Sequence, residues 1–136
     1  MKVIVCIDDN KGMLFNKRRQ SKDRKVLEDI ARMTESVKIN CFSEKLFAET
    51  EVSSAIRVTV DECFLEHAIE GEYCFVENIL LSPYVSKIEE LIIYHWNRKY
   101  PSDFKLDIDL KKWKKQSKEE FAGFSHEKIT KEIYRL

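Results

Sequence analysis

The chain of 136 residues has the length of one compact domain, and we expect residues 1–136 to form a single α/β domain. It carries 24 acidic and 24 basic side chains, so its formal net charge is zero. That balance argues against general nucleic-acid binding, which requires a basic excess. The apolar start of the chain ends at Ile7, which is too short for a signal or membrane segment and predicts a cytoplasmic protein.

The cysteines and histidines do not suggest a metal site. The four cysteines show no CxxC spacing, and the three histidines lie far apart in the sequence. Cys6, Cys41 and Cys74 lie in apolar, strand-like runs. We therefore expect them to be buried free thiols in a reducing compartment.

The first third of the chain predicts a strand, a turn and a helix. Residues 2–7 form a β-branched run, typical of a strand buried on both faces. Asp8, Asp9 and Asn10 follow as a turn, and a metal site is the alternative for them. Ser21 is a suitable helix N-cap. Apolar side chains recur after it at helical spacing: Val26, Leu27, Ile30 and Met33.

The middle of the chain alternates strands with helices, which is the pattern of a largely parallel sheet. Strands are predicted at residues 37–42, 55–60 and 73–77, and helices at residues 43–50 and from 61 to Gly71. Further strands are predicted at residues 88–96, 104–108 and 113–118. Residues 126–136 fit a helix or a strand, and we favour a strand.

Lysines around Trp113 indicate an exposed edge strand, with nucleic-acid contact as the alternative.

The order of elements resembles dihydrofolate reductase over most of the chain. The segments that are similar to that family are VIVCIDDNKGM, EYCFVENILLSPYVSKIEELIIYHW, YPSDFKLDIDLKKWKKQSKEEF and KEIYRL. The resemblance implies a largely parallel twisted sheet with helices on both faces and antiparallel strands at the C-terminal end. It also implies an NADPH-dependent oxidoreductase, which is one alternative for the function.

The chain departs from that family at the positions that carry its chemistry. Glu77 and Asn78 stand where the family has two glycines, and Glu77 would repel a phosphate. Asn40 and Cys41 replace a Gly-Arg pair, and FNKRRQSKDR replaces the Pro-Trp loop and its catalytic acid. Asp23 is a weak match to that acid. We therefore expect no catalytic residue, no bound cofactor and no reductase activity.

A second resemblance is carried by CIDDNKGMLFNKRRQSKDR, YHWNRKYPSD and FAGFSHEKITKEIY. These segments look like those of short proteins from Clostridium-like bacteria and their prophages. Some of that group resemble the first type of Thoeris anti-defence protein. The resemblance implies a phage protein that sequesters a cyclic nucleotide or ADP-ribose-type signal.

The stretch FNKRRQSKDR is the first candidate ligand site. We expect it to be a loop that leads into a helix N-terminus, which favours anions. Guanidinium groups can form paired hydrogen bonds with a phosphate, and the amides can read a base or ribose. The candidate ligand-binding residues are Asn16, Arg18, Arg19, Gln20 and Arg24. The alternative is a solvated loop whose cations pair with Asp23 and Asp29.

The stretch YHWNR is the second candidate, because it ends an apolar strand where open α/β sheets tend to bind ligands. An aromatic ring can stack on a base, and the amide and guanidinium can bind adenine and phosphate. The candidates are Tyr94, Trp96, Asn97 and Arg98. Strand alternation places Asn97 on the opposite face from the other three. The alternative is a core or oligomer-interface pair of aromatics.

His126 is expected to cap or turn the chain rather than to act in catalysis.

Together these observations predict a non-enzymatic protein that binds a phosphorylated nucleotide or cyclic nucleotide. Homo-oligomers are plausible because spare aromatics are often buried between subunits. The alternatives are the reductase and a protein-interaction module without a small ligand. The sequence does not decide whether the two candidate stretches line one pocket.

Overall fold

The backbone alternates short strands and helices. The computed structural model describes residues 1–49 and 55–136. The strands are β1 (Lys2–Ile7), β2 (Gly12–Phe15), β3 (Arg18–Arg19), β4 (Ser36–Ile39), β5 (Arg57–Val60), β6 (Tyr73–Phe75), β7 (Glu90–His95), β8 (Phe104–Lys105), β9 (Lys114–Phe121) and β10 (Ile129–Arg135). The helices are α1 (Arg24–Met33), α2 (Cys41–Ala48) and α3 (Phe64–His67), with 3-10 turns at Ser82–Lys87 and Leu110–Lys112.

The central sheet confirms the predicted fold class. Within the described residues its strand order is β5-β4-β6-β1-β7-β10-β9. The first five strands pair in parallel, whereas β10 is antiparallel to both β7 and β9. A smaller sheet of order β3-β2-β8 lies beside it. The edge position of β9 and its almost wholly exposed side chains agree with the predicted edge strand.

The sheet separates two apolar clusters, because successive side chains of β1 point to opposite faces. Val3 and Val5 pack with residues of α3 and the segment after it. Ile4 packs with the apolar side chains of α1 and α2 on the other face. The helices therefore lie on both sides of the sheet, as expected.

The N-cap of the first helix lies two residues later than predicted. Asp23, not Ser21, is the N-cap, and its carboxylate accepts the backbone N–H of Lys25 at 2.9 Å. Val26, Leu27 and Ile30 are buried, as the helical spacing predicts. Both Ser and Asp cap helices well, so local propensity could not choose between them.

The second helix begins where a strand was predicted to continue. β4 ends at Ile39, the last residue paired with β5, and α2 starts at Cys41. The predicted helix 43–50 therefore starts too late, and its Thr50 lies outside the described residues.

The predicted burial of the cysteines is only partly correct. Cys41 is exposed, so its predicted burial is wrong, whereas Cys74 is buried. Burial raises the pKa of the Cys74 thiol to about 11.

Other boundaries also differ. The helix predicted from residue 61 to Gly71 is only α3, because the backbone becomes extended at Ala68, with φ of −65° and ψ of 138°. The strand predicted at 104–108 is only β8, while the favoured C-terminal strand is confirmed by β10. No helix in the described ranges is long and apolar enough to span a membrane.

Candidate functional site

The first half of the stretch FNKRRQSKDR, as far as Arg19, belongs to a β-hairpin, whereas residues 20–23 form a loop that leads into α1 as predicted. Asn16 and Lys17 connect β2 to β3 with φ of +51° and +61°, the left-handed pair of a tight two-residue turn. The backbone N–H of Asn16 donates to the carboxylate of Asp103 at 3.1 Å. The side chain of Arg18 is exposed, and Arg19 is half-buried. The hairpin thus places the two arginines in different surroundings.

Arg19 is held by a carboxylate of the same chain. Its Nε and Nη2 donate to the two oxygens of Glu77, both at 2.6 Å. The hydroxyl of Ser43 donates to Glu77 Oε1 at 2.7 Å. The guanidinium also lies 5.3 Å from the ring centroid of Phe42. Glu77, which follows β6, therefore occupies the position on Arg19 that a ligand anion would need.

Gln20 and Arg24 also have partners within the chain. The amide of Gln20 donates to Asp8 Oδ2 at 3.2 Å and to the carbonyl of Pro101 at 3.1 Å. Arg24 lies over the ring of Phe124 at 4.1 Å. Both side chains are therefore engaged by contacts within the chain.

Asp8 organises a turn, as predicted. Its carboxylate accepts the backbone N–H groups of Asn10, Gly12 and Tyr100 at 2.7–3.0 Å. Burial alone would raise the pKa of Asp8, but these hydrogen bonds lower it below its usual value. No group of three potential metal ligands occurs among the residues that the structure describes.

A cleft lined by cations lies beside the hairpin, and we call it the cationic cleft. Its volume is about 490 Å³, and it is lined by Lys17, Arg18, Arg19, Ser21, Lys22, Phe42 and Lys45. No acid is among these lining residues. Phe42 comes from α2, which follows β4, so the cleft lies near the carboxyl ends of parallel strands. Open α/β sheets commonly bind ligands at this edge.

A second pocket adjoins the cationic cleft and shares Phe42 and Lys17 with it. This neighbouring pocket has a volume of about 530 Å³ and is also lined by Leu14, Asn78, Asp103 and Phe104. The amide of Asn40 donates to Asn78 Oδ1 at 2.8 Å, which leaves the N–H groups of Asn78 for another acceptor. One continuous surface therefore offers cations, an aromatic ring and polar edges.

Tyr94 of the second stretch belongs to the core. Its side chain is fully buried, and its hydroxyl donates to Asp29 Oδ2 at 2.5 Å. Lys131 also contacts Asp29 at 2.8 Å. Burial and the nearby carboxylate raise the pKa of Tyr94 far above its usual value. The structure thus favours the core alternative for this residue.

The other three residues of that stretch face the C-terminal loop. Trp96 is buried and stacks on His126, with centroids 4.6 Å apart. Asn97 donates to the Lys128 carbonyl and the Thr130 hydroxyl, and Arg98 donates to a backbone carbonyl. All three line an open pocket of about 750 Å³.

Within the described residues, the two candidate stretches share one small pocket. Arg19 and Trp96 both line this pocket of about 20 Å³, together with Cys6, Ser21 and Glu77. That volume holds about one water molecule. The larger pockets of the two stretches have different lining residues. In the described part of the chain they therefore do not form one ligand-sized pocket.

A polar cluster that the sequence did not predict lies between these regions. His126 is only 4% exposed, and its two ring nitrogens contact different partners. Nδ1 lies 2.8 Å from Asp23 Oδ2, while Nε2 lies 2.8 Å from Ser21 Oγ and 3.2 Å from the Tyr100 hydroxyl. These residues are 26 to 105 positions from His126, so no local motif could reveal them.

Comparisons with known proteins find similarity in structure only. No family model matches the chain, and no curated protein matches it. Dihydrofolate reductase from Enterococcus faecalis, solved in complex with NADP(H) and RAB-propyl, has a TM-score of 0.67. The match has 13% sequence identity and covers 98% of this chain and 94% of that one. The chain therefore has a divergent dihydrofolate reductase-like fold, as the order of its elements predicted.

Proposed function

We propose that this protein binds a phosphorylated nucleotide or cyclic nucleotide across the cationic cleft and the neighbouring pocket. The observation that carries the proposal is the lining that the two share. Five cationic side chains face the cleft, and Phe42 separates them from a pocket with polar edges. A phosphate next to a base requires this combination of groups.

Arg18 and Lys17 are the proposed phosphate ligands. Both are exposed, and neither has an ion-pair partner among the described residues. Arg19 is less suited, because a ligand phosphate would have to displace Glu77 from its guanidinium. Lys22 and Lys45 pair only loosely with Glu49, each at 3.6 Å, and remain available to a strong anion. A guanidinium can form paired hydrogen bonds with phosphate.

Phe42 is the proposed stacking surface for the base. Tyr94 and Trp96 were the expected rings, but both are buried and Trp96 is already stacked on His126. Stacking on an aromatic side chain contributes roughly 1–3 kcal/mol per base. Asn78 and Asp103 line the neighbouring pocket, where an amide and a carboxylate suit the donors and acceptors of a base edge.

The reductase remains the alternative function. Its support is the fold neighbour that was solved with NADP(H), which makes a nucleotide a natural ligand class for this scaffold. Against it, Glu77 and Asn78 stand at the positions of the family's cofactor glycines. We therefore propose binding without reduction.

The specific form of this proposal is a protein that sequesters a cyclic nucleotide or ADP-ribose-type signal. It derives from the resemblance to short prophage proteins, and self-association remains a prediction alongside it. Exposed apolar side chains such as Phe124 and Leu80 offer surfaces for such contacts.

A thermal-shift panel tests the proposal. The panel contains cyclic dinucleotides and trinucleotides, ADP-ribose variants, NADPH and inorganic phosphate. A ligand at 100 times its Kd should stabilise the fold by about 2.7 kcal/mol. Arg18→Ala should reduce the shift, whereas Arg24→Ala should retain it because Arg24 lies over Phe124 outside the cleft.

Three outcomes separate the alternatives. The proposal fails if no panel member shifts the melting temperature, or if Arg18→Ala responds as the wild type does. Oxidation of NADPH in the presence of dihydrofolate would establish the reductase instead. A protein that shows neither response but co-purifies with a macromolecule would be an interaction module.

A further inference from the structure

We propose that Ser21 is a catalytic nucleophile that hydrolyses small carboxylic esters carrying a negative group, with His126 as its base and Asp23 as the positioning residue. This activity goes beyond nucleotide binding and needs no nicotinamide. The three side chains form the hydrogen-bonded series hydroxyl, imidazole, carboxylate. Such a group is recognised by its geometry and not by the order of its members in the sequence.

The distances match those required of a serine nucleophile and its base. Ser21 Oγ lies 2.8 Å from His126 Nε2, within the 2.6–3.2 Å reach of an activated nucleophile. On the other side of the ring, Nδ1 lies 2.8 Å from Asp23 Oδ2. Because Asp23 accepts a hydrogen from Nδ1, Nε2 is left to accept the proton of Ser21.

The carboxylate of Asp23 is ionised and rigidly placed. Beyond His126 Nδ1, it accepts the backbone N–H groups of Lys25, Phe124, Ser125 and His126 at 2.8–3.1 Å. Burial alone would raise the pKa of Asp23, but the hydrogen bonds from Phe124 and His126 contribute to lowering it to about 2. The negative charge next to Nδ1 is therefore present at neutral pH.

The imidazole stacks on an aromatic ring, and the proposed nucleophile borders the cationic cleft. Trp96 stacks on His126 with an interplanar angle of 21°. His126 and Asp23 are 4% and 3% exposed, but Ser21 is only half-buried and lines the cationic cleft. The proposed nucleophile thus borders the cleft, while the base and the carboxylate stay shielded from water.

The charge of the cleft defines the substrate class. Lys22 and Arg18 line the same cleft as Ser21 and favour an ester with an anionic group. Positive groups beside the reacting carbon also stabilise the negative charge that develops on the carbonyl oxygen.

The chemistry balances without any further reactant except water. Ser21 Oγ bonds to the carbonyl carbon of the ester while its proton passes to His126 Nε2. The C–O bond to the alcohol then breaks, and that proton leaves with the alcohol. Water, deprotonated by Nε2, attacks the acyl-serine and releases the carboxylic acid, which restores Ser21 and His126.

The competing explanation is that the cluster only fastens the C-terminal loop to α1. The backbone N–H bonds to Asp23 already do this, and they do not require the Ser21 contact. The Tyr100 hydroxyl, 3.2 Å from Nε2, is a second possible donor to the ring. Reactivity at Ser21 distinguishes the two explanations, because a purely structural hydroxyl would not be activated.

The test uses the full chain and a fluorophosphonate probe, which modifies activated serines, followed by peptide mass spectrometry. No nucleotide is added, so the result is independent of the proposed ligand. We expect one adduct per chain, on Ser21, and a stoichiometric burst of nitrophenol that is faster with the anionic ester 4-acetoxy-3-nitrobenzenesulfonate than with neutral p-nitrophenyl acetate. Ser21→Ala should remove both, whereas Ser117→Ala, at an exposed serine of β9, should change neither.

Two further variants test the base and the carboxylate. His126→Asn keeps a donor toward Asp23 but loses Nε2, and should slow labelling by about 100-fold or more. Asp23→Asn should slow labelling at temperatures where its near-ultraviolet circular dichroism equals that of the wild type. A purely structural role would leave that rate unchanged in folded protein.

The proposal is overturned if the wild type is not labelled, or if Ser21→Ala is labelled at the wild-type rate. An adduct on another residue would also overturn it, including one on Ser125, whose Oγ lies 3.3 Å from Nδ1. Labelling of folded His126→Asn or Asp23→Asn at the wild-type rate would remove that residue from the mechanism.

Discussion

Replacing Arg19 with alanine should destabilise the fold, although Arg19 lies in the stretch that the sequence marks as a ligand site. The variant loses two hydrogen bonds of 2.6 Å, and Glu77 keeps the Ser43 hydroxyl as its one hydrogen-bond donor among the described residues. Removing one partner of a fully buried ion pair costs about 3–5 kcal/mol. The Arg19 and Glu77 side chains are 23% and 10% exposed, so water screens part of their electrostatic interaction. We expect a loss of about 2–3 kcal/mol in the free energy of unfolding.

Urea denaturation of the purified chain measures this loss through the midpoint of unfolding. Arg18→Ala is the matched control, since Arg18 is the adjacent arginine and is exposed. Its free energy of unfolding should stay within about 0.5 kcal/mol of the wild type. Arg19→Ala combined with Glu77→Ala should cost less than the sum of the single changes, because the two residues interact directly.

Two results would refute this reasoning. Arg19→Ala could unfold at the wild-type midpoint, or its effect could add fully to that of Glu77→Ala. Either result would mean that the pair contributes nothing to the fold. Arg19 would then be as free as Arg18 to bind a ligand anion.

Two buried carboxylates give further predictions. Asp23, with its pKa lowered from 3.8 to about 2, contributes stability above pH 4 that is lost as the pH falls toward 2. Urea midpoints should therefore fall less over this range in Asp23→Asn than in the wild type, and parallel curves would contradict the assignment. Tyr94→Phe should cost about 1.5–3 kcal/mol, because Asp29 loses a buried donor. A urea midpoint equal to that of the wild type would show that Lys131 alone satisfies Asp29.

The fold could be predicted because its signals are local. The β-branched run of β1 and the spacing of Val26, Leu27 and Ile30 need no knowledge of distant residues. The boundaries were less predictable where tertiary pairing decides them. α2 begins at Cys41 although the run through Phe42 suits a strand, since pairing with β5 ends at Ile39.

The site was harder to predict because its partners are distant in sequence. Nothing near Arg19 indicates that Glu77 holds it, and nothing near Trp96 indicates that His126 covers it. The predicted N-cap Ser21 was wrong, because Asp23 caps the helix and obtains its additional donors about a hundred residues later. The sequence shows that both arginines are present. The three-dimensional contacts show that Glu77 holds Arg19, whereas Arg18 remains available to a ligand anion.

The long span of the Asp23 hydrogen bonds also affects how the chain acquires its structure during synthesis. The donors from Phe124, Ser125 and His126 lie 101 to 103 positions after Asp23. Ribosomes add about 5–20 residues per second, so α1 waits on the order of 5–20 s for them. β10 must also insert between β7 and β9. Such distant contacts slow folding, and until they form the incomplete chain exposes the edge of β7 to chaperones and to other nascent chains.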